Sequence, residues 1–391
     1  MKIIVTITRF IVGVLFIFSG LIKAIDPLGL SYKMQEFFEA WNEGLSKSSF
    51  FLSHPLINLF NFLHEHSLTL SVIMIAFEII AGAALLLSWQ MRIFSRLLLL
   101  LILFFTFLTS YALLSGKFKN CGCFGDCIPI TPKTSFLKDI ALTILISFLF
   151  WQRKRIKPFL SQRYNWIAMI LVIIFSFGIQ WYMLTYLPTI DCLPFKKGNN
   201  ISEQMKMPAN AIPDSAVITF VYEKEGKKIE FTADKFPEDF NPDTYKFISR
   251  YDKLIRKGKN NEPPIKGFSL VSVNDEDSTE AILSSDDYKI MAFSFGINEN
   301  MPAWTNDFHK LVDVAKQKDI KLYFVTNEYN NIFQWASKAN VANDISIFKC
   351  DYTVIKTAAR TNPCFYLIKH GTILGKWSYK KINSVISAIN K

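Results

Sequence analysis

At 391 residues the chain has room for two or three domains, and with 50% hydrophobic and only 20% charged residues it is too apolar for an ordinary soluble protein. The net charge of +11 divides unevenly, residues 1–187 holding 16 Lys+Arg against 8 Asp+Glu and the remainder 28 against 25. The basic excess thus lies beside apolar runs, where lipid head groups and membrane topology account for it, and no nucleic-acid partner is implied.

Residues 3–22 form an apolar run of bilayer-spanning length, followed by Lys23-Ala24-Ile25-Asp26-Pro27 rather than a small-x-small cleavage site, which favours a first membrane helix over a signal peptide. Arg9 and Lys23 bracket Ser19-Gly20, and either both snorkel to the two interfaces or one of them meets a partner inside the membrane. Residues 28–66 interleave Phe37, Phe38, Trp41 and Phe60 with charged residues, a pattern of short helices on a membrane surface. His54, His64 and His66 lie there without thiol or carboxylate partners at ligand spacing, so they read as solvated or interfacial groups. A second span over residues 68–88 carries Glu78 near its middle, a costly place for a carboxylate, with Arg9 or Lys23 as the available counter-charge. Gly82-Ala83-Ala84 offers the small surface that lets helices approach closely.

A third span covers residues 97–115 and a fourth residues 136–151, the latter opened by Pro132-Lys133-Thr134-Ser135. Between them stands Asn120-Cys121-Gly122-Cys123-Phe124-Gly125-Asp126-Cys127, which gathers three of the 6 cysteines, with glycines that permit tight turns between the thiols. So dense a cluster is a redox switch, a structural disulfide knot or a metal site. A fifth span runs over residues 166–187 and ends at Pro188. Arg92 and Arg96 in one short loop and Arg153-Lys154-Arg155 in another place those loops in the cytoplasm by the positive-inside rule. The N-terminus is then cytoplasmic, while the cysteine loop and everything after Pro188 lie outside, in the oxidising space beyond a bacterial inner membrane. Cys192 leaves the fifth span on that face, so four cysteines are expected at one membrane surface.

Residues 153–190 read as a basic loop with the fifth span, and residues 191–262 as a linker with a small β-containing segment. That segment includes a hairpin of residues 217–222 and 228–231 turning at Glu225-Gly226-Lys227. From residue 263 the pattern turns to β/α, with strands at 290–295 and 321–326, helices at 302–316 and 329–339, and a strand pair at 364–369 and 372–377 turning at His370-Gly371 before a last helix.

Two resemblances follow from these residues. Arg9, Gly13, Phe18-Ser19-Gly20-Leu21-Ile22-Lys23, Asp26-Pro27, Glu78 with Gly82, and above all Cys121-Gly122-Cys123-Phe124-Gly125 make residues 1–152 resemble the DoxX-like/MauE superfamily of helical membrane bundles, in particular the MauE (methylamine utilisation) branch. MauE proteins are associated with maturation of an enzyme that needs disulfides formed outside the cytoplasm, and DoxX relatives with quinone-linked sulfur oxidation. The resemblance therefore implies membrane-coupled thiol chemistry, with quinone as the cofactor to consider. Residues 263–391 resemble a thioredoxin-like domain of the membrane-anchored TlpA type, with Thr361-Asn362-Pro363-Cys364 where that fold keeps its cis-proline. The redox CxxC is missing: the segment after the first central strand, Phe293 to Trp304, has no cysteine, so the usual thiolate at a helix N-terminus is absent. Cys350 and Cys364 flank that place and form either a pair or two buried thiols.

The expected fold is thus an α-helical membrane bundle, a four-helix DoxX/MauE-like core plus a fifth spanning helix, followed by an α/β thioredoxin-like domain. In one functional reading Cys121, Cys123, Cys127 and Cys192 exchange disulfides with an extracytoplasmic client protein and pass electrons to quinone near Glu78. In the other the chain is a non-enzymatic scaffold or maturation factor, its cysteine loop a knot and its degenerate groove (Pro363, Cys350, Cys364) a partner-binding surface. A four-thiolate zinc site is a third, for which C-x-C-x3-C is an uncommon spacing, so no metal is expected.

Overall fold

Apolar periodicity in the first 187 residues becomes helix in the computed structural model of the chain, which describes residues 2–118, 120, 122, 124–156, 158, 161–256, 258, 260–297 and 301–390. The membrane part comprises α1 (Lys2–Ile25), α2 (Pro27–Ser46), α3 (Ser53–Glu65), α4 (Ser67–Leu87), α5 (Met91–Ser115), α6 (Pro132–Gln152) and α7 (Gln162–Tyr186). Among the described residues five of these, α1, α4, α5, α6 and α7, are long and apolar enough to cross a membrane, so the chain is a multi-pass membrane protein. Each span matches an expected one, with longer ends where polar flanks continue the helix. Arg92 and Arg96 consequently lie in the first turns of α5 rather than in a loop.

α1 and α4 cross where Gly13 meets Gly82: a Cβ on Gly82 would fall 2.7 Å from the Gly13 carbonyl oxygen, so only glycine allows this approach. α2 opens with Asp26 as N-cap and Pro27 in its first turn, and α6 opens with Thr131 accepting from the Thr134 amide. α2 and α3 form the helices expected in residues 28–66, with Phe37 stacked on Phe118 at 4.3 Å.

After α7 come α8 (Ile201–Gln204), β1 (Ser215–Lys224), β2 (Lys227–Thr232), β3 (Lys246–Arg256), α9 (Thr279–Ser284), β4 (Tyr288–Ser294), α10 (Thr305–Gln317), β5 (Lys321–Thr326), α11 (Tyr329–Lys338), β6 (Ser346–Lys349), α12 (Tyr352–Ala358), β7 (Cys364–Lys369), β8 (Thr372–Ser378) and α13 (Ile382–Ile389). β1 to β3 make an antiparallel sheet in the order β2-β1-β3, the hairpin turning at Glu225 and Gly226, both with positive φ (53° and 77°). The remaining strands form a mixed sheet, β6-β5-β4-β7-β8, with β4, β5 and β6 parallel and β7 and β8 antiparallel.

Helices cover both faces of the mixed sheet. α10, α11 and α13 bury Phe308, Trp335 and Val385 on one side, and α12 buries Ile355 and Ala358 on the other. Leu187, Phe195 and Ile201 join the second core beside Phe293 and Tyr366. The beginning of the expected linker is therefore part of the α/β core, because its apolar residues sit under the sheet instead of in solvent.

Candidate functional site

Two polar centres and one disulfide lie toward the end of the bundle that carries the α/β domain. In the first centre, the ammonium of Lys23 on α1 stands 2.5 Å from Oε1 of Glu78 on α4, and the Ser19 hydroxyl donates to Glu78 Oε2 at 3.0 Å. Lys23 and Glu78 are 3% and 1% exposed, so Lys23 does not snorkel. Among the described residues the strong partner of each buried charge is the other, which favours pairing over reaching an interface. Arg9 instead donates to the hydroxyl of Ser88, the residue that caps the C-terminal end of α4, more than two turns beyond Glu78.

Lys23 and Glu78 border a mostly apolar cavity with about 80 Å3 of free space, walled by Phe16, Ile102 and Phe105. Gly122 and Phe124 of the cysteine loop also line it. Across it lies a second charged pair not anticipated from sequence: Lys138 pairs with Asp139, and the Thr109 hydroxyl donates to Asp139 Oδ2 at 3.0 Å. The signal was available, since Asp139 is an acid inside an apolar span and is fully buried.

Asp26, expected with the intramembrane polar groups, lies past the end of α1 and belongs to the second centre. Its side chain caps α2 through the Gly29 amide at 3.2 Å and lies 2.8 Å from Nη2 of Arg360. Asp126 approaches the same guanidinium at 3.3 Å, and the Tyr32 ring lies 5.3 Å from it. Burial pushes the Asp26 carboxyl up while Arg360 pulls it down. For Arg360 burial opposes the charge, but Asp26, Tyr32 and Asp126 outweigh it, so the guanidinium is held charged. Burial likewise pushes the Tyr32 phenol up to about 12.

Cys127 and Cys192 form a disulfide, tying the loop between α5 and α6 to the segment leaving α7. Cys127 is half-buried and Cys192 exposed. As a disulfide the two offer no thiolate to a metal, which removes the four-thiolate site in this state. Cys121 and Cys123 lie outside the described residues. His64 is bonded to Glu39 at 3.0 Å and His66 to the Phe62 carbonyl at 2.9 Å.

In the α/β domain the Asn362-Pro363 peptide is cis. Asn362 occupies the neighbouring ground: its Oδ1 accepts from the Ser294 hydroxyl at 2.7 Å and the Phe295 amide at 3.1 Å, and its Nδ2 donates to the Gly296 carbonyl at 2.7 Å. Cys350 and Cys364 are unpaired, buried thiols, both pushed up to about 11 by burial. The alternative of a Cys350–Cys364 pair is not realised, each thiol being packed into the core under the sheet. Pro363 and Cys364 thus lie beside the groove without a reactive sulfur.

Residues 1–152 match the family described as "Methylamine utilisation protein MauE", and residues 216–257 match a domain of unknown function, DUF8463. The second match coincides with the β1–β3 sheet. No curated protein and no solved structure matches the chain significantly.

Proposed function

We propose, from the premise that residues 1–152 are a MauE-type membrane bundle, that the chain carries out thiol–disulfide exchange in the maturation of proteins outside the cytoplasm. The observation that carries the reading is the exposed residue Cys192, disulfide-bonded to the cysteine loop whose Gly122 and Phe124 line the cavity holding Lys23 and Glu78. Arg92, Arg96 and Arg153 to Arg155 lie at the bundle end opposite this disulfide, which by the positive-inside rule supports an outer face for the disulfide and the α/β domain.

A thiolate of a client dithiol attacks Sγ of Cys192, the bond to Cys127 breaks, and Cys127 leaves as a thiolate that takes a proton. The client's second thiol then closes on the mixed disulfide and releases Cys192. The client has lost two electrons and two protons, and Cys127 and Cys192 have gained them. A disulfide between Cys121 and Cys123 of the same loop would take them on: the Cys127 thiolate would attack it and break its S–S bond, Cys192 would close on Cys127 to restore their disulfide, and Cys121 and Cys123 would end as thiols.

The cavity offers a quinone head group apolar walls and two ammonium donors, the buried Lys23 and the partly exposed Lys138. A quinone bound there supplies a two-electron, two-proton acceptor. Lys23 would hold one of its oxygens, and Glu78, itself fixed by the Ser19 hydroxyl, would keep the Lys23 charge in place.

The strand order of the mixed sheet, the helices on both faces and the position of Pro363 support reading residues 263–391 as a thioredoxin-like domain without its CxxC. Asn362, hydrogen-bonded across the place of the missing motif, favours a second reading in which this domain binds the client and the chain is a scaffold. Capture of a mixed disulfide separates the two. C127S leaves Cys192 as a free thiol, whose thiolate in the exchange reading attacks the disulfide form of a client, breaks that S–S bond, releases one client thiol and stays as a reducible adduct because Cys127 is not there to resolve it. A scaffold yields no adduct while the variant accumulates normally.

A further inference from the structure

Each cysteine of the disulfide is preceded by an aspartate, and each aspartate reaches a buried cation of the α/β domain. Asp126 Oδ2 lies 3.3 Å from Nη2 of Arg360, and Asp191 Oδ2 lies 2.7 Å from Nζ of Lys376. The Arg360 and Lys376 side chains are only 4% and 7% exposed. Arg360 stands shortly before β7 and Lys376 lies on β8, the neighbouring strand, so the paired cysteines present two carboxylates to one edge of the mixed sheet. Arg360 also holds Asp26 at the corner of α1 and α2.

We propose that the Cys127–Cys192 disulfide is a redox latch that sets how firmly the α/β domain is docked on the membrane bundle, an inference that rests on the exchange reading for the source of its reduction. In the oxidised form the bond makes one covalent unit of the Asp126 loop and the Asp191 segment, so each ion pair raises the effective concentration of the other. A dithiol that attacks Sγ of the exposed residue Cys192 transfers two electrons and two protons to the pair and becomes a disulfide itself. The loop bearing Asp126 is then joined to the Asp191 segment only through the helices, and Arg360 keeps Asp26 as its firmest partner. Loosening exposes the aromatic groove between bundle and domain, which Tyr32, Phe295, Tyr352 and Arg360 line. Reduction by one client dithiol thereby opens the surface that faces the next.

The test is hydrogen exchange of the full-length protein in lipid nanodiscs, oxidised against reduced with dithiothreitol. Amides of residues 352–361 and 124–131 are expected to exchange about tenfold faster after reduction, with β4 and β5 unchanged. The oxidised D126N protein should show the same loosening at residues 352–361. Equal exchange in the two redox states would overturn the latch, as would a D126N protein as protected as the parent. If the C127S/C192S double variant fails to accumulate, the reduced parent still decides. Disulfides that are never reduced in cells would defeat the exchange reading while leaving this difference in purified protein intact, so the two failures are told apart.

Discussion

Lys23 and Glu78 meet at 2.5 Å inside the bundle, on two helices that touch through Gly13 and Gly82. Removing one partner strands a buried charge, whereas replacing both by apolar residues of similar volume removes the charge altogether. K23M or E78L alone should therefore cost about 3–5 kcal/mol and the double variant far less. Thermal unfolding in detergent reads this directly. Equal loss in single and double variants would contradict the pairing as the source of the cost. In the exchange reading the double variant, though stable, should also fail to reoxidise its loop cysteines.

Arg360 engages Asp26 with two of its nitrogens, at 2.8 and 2.9 Å, and reaches Asp126 with one. Lysine cannot reproduce that fork. R360K is expected to lose about 1.5–3 kcal/mol, mostly from the more buried Asp26 contact, since Asp126 is partly solvated. A thermal shift of the full chain measures it, and a variant as stable as the parent would show the clamp to contribute nothing.

Cys350 and Cys364 should be inert. Burial raises both thiols to about 11, above their ordinary value of 9.0, so the folded state favours the neutral form. The sign follows: this contribution to stability is complete below pH 9 and is lost as pH rises through about 11. Alkylation of the native protein at pH 8 should leave both unmodified until denaturant is added. Rapid modification in the native state would place a reactive thiol in the groove after all.

Topology supplies an independent check. A phosphatase that is active only outside the cytoplasm, joined after residue 391, should be active, and one joined in the loop between α6 and α7 should not. The reverse pattern would put the disulfide in a reducing compartment and remove the basis for client oxidation.

The five spans were legible because apolar length is itself the signal, and Glu78 stood out because acids inside apolar runs are costly. Lys138 and Asp139 carried that signal more weakly, lying near the start of α6. β3 was hidden by the basic residues Lys246, Arg250 and Arg256, and β6 by a length of only 4 residues. Arg360 could not be found at all. Its partners Asp26 and Asp126 lie 334 and 234 positions away, and no local pattern encodes a contact made only when the domain docks. The repeated Asp-Cys at 126–127 and 191–192 was readable, but its meaning depended on which cysteines pair.

The most direct measurement is the redox state of the loop cysteines in intact cells, trapped with acid and counted by mass-tagged alkylation, with quinone synthesis on and off. Thiol–disulfide exchange coupled to the membrane predicts a mixed population at Cys121, Cys123, Cys127 and Cys192 that shifts toward thiols when quinone is depleted. Cysteines that stay fully oxidised in both conditions would contradict it and leave the disulfide a structural brace.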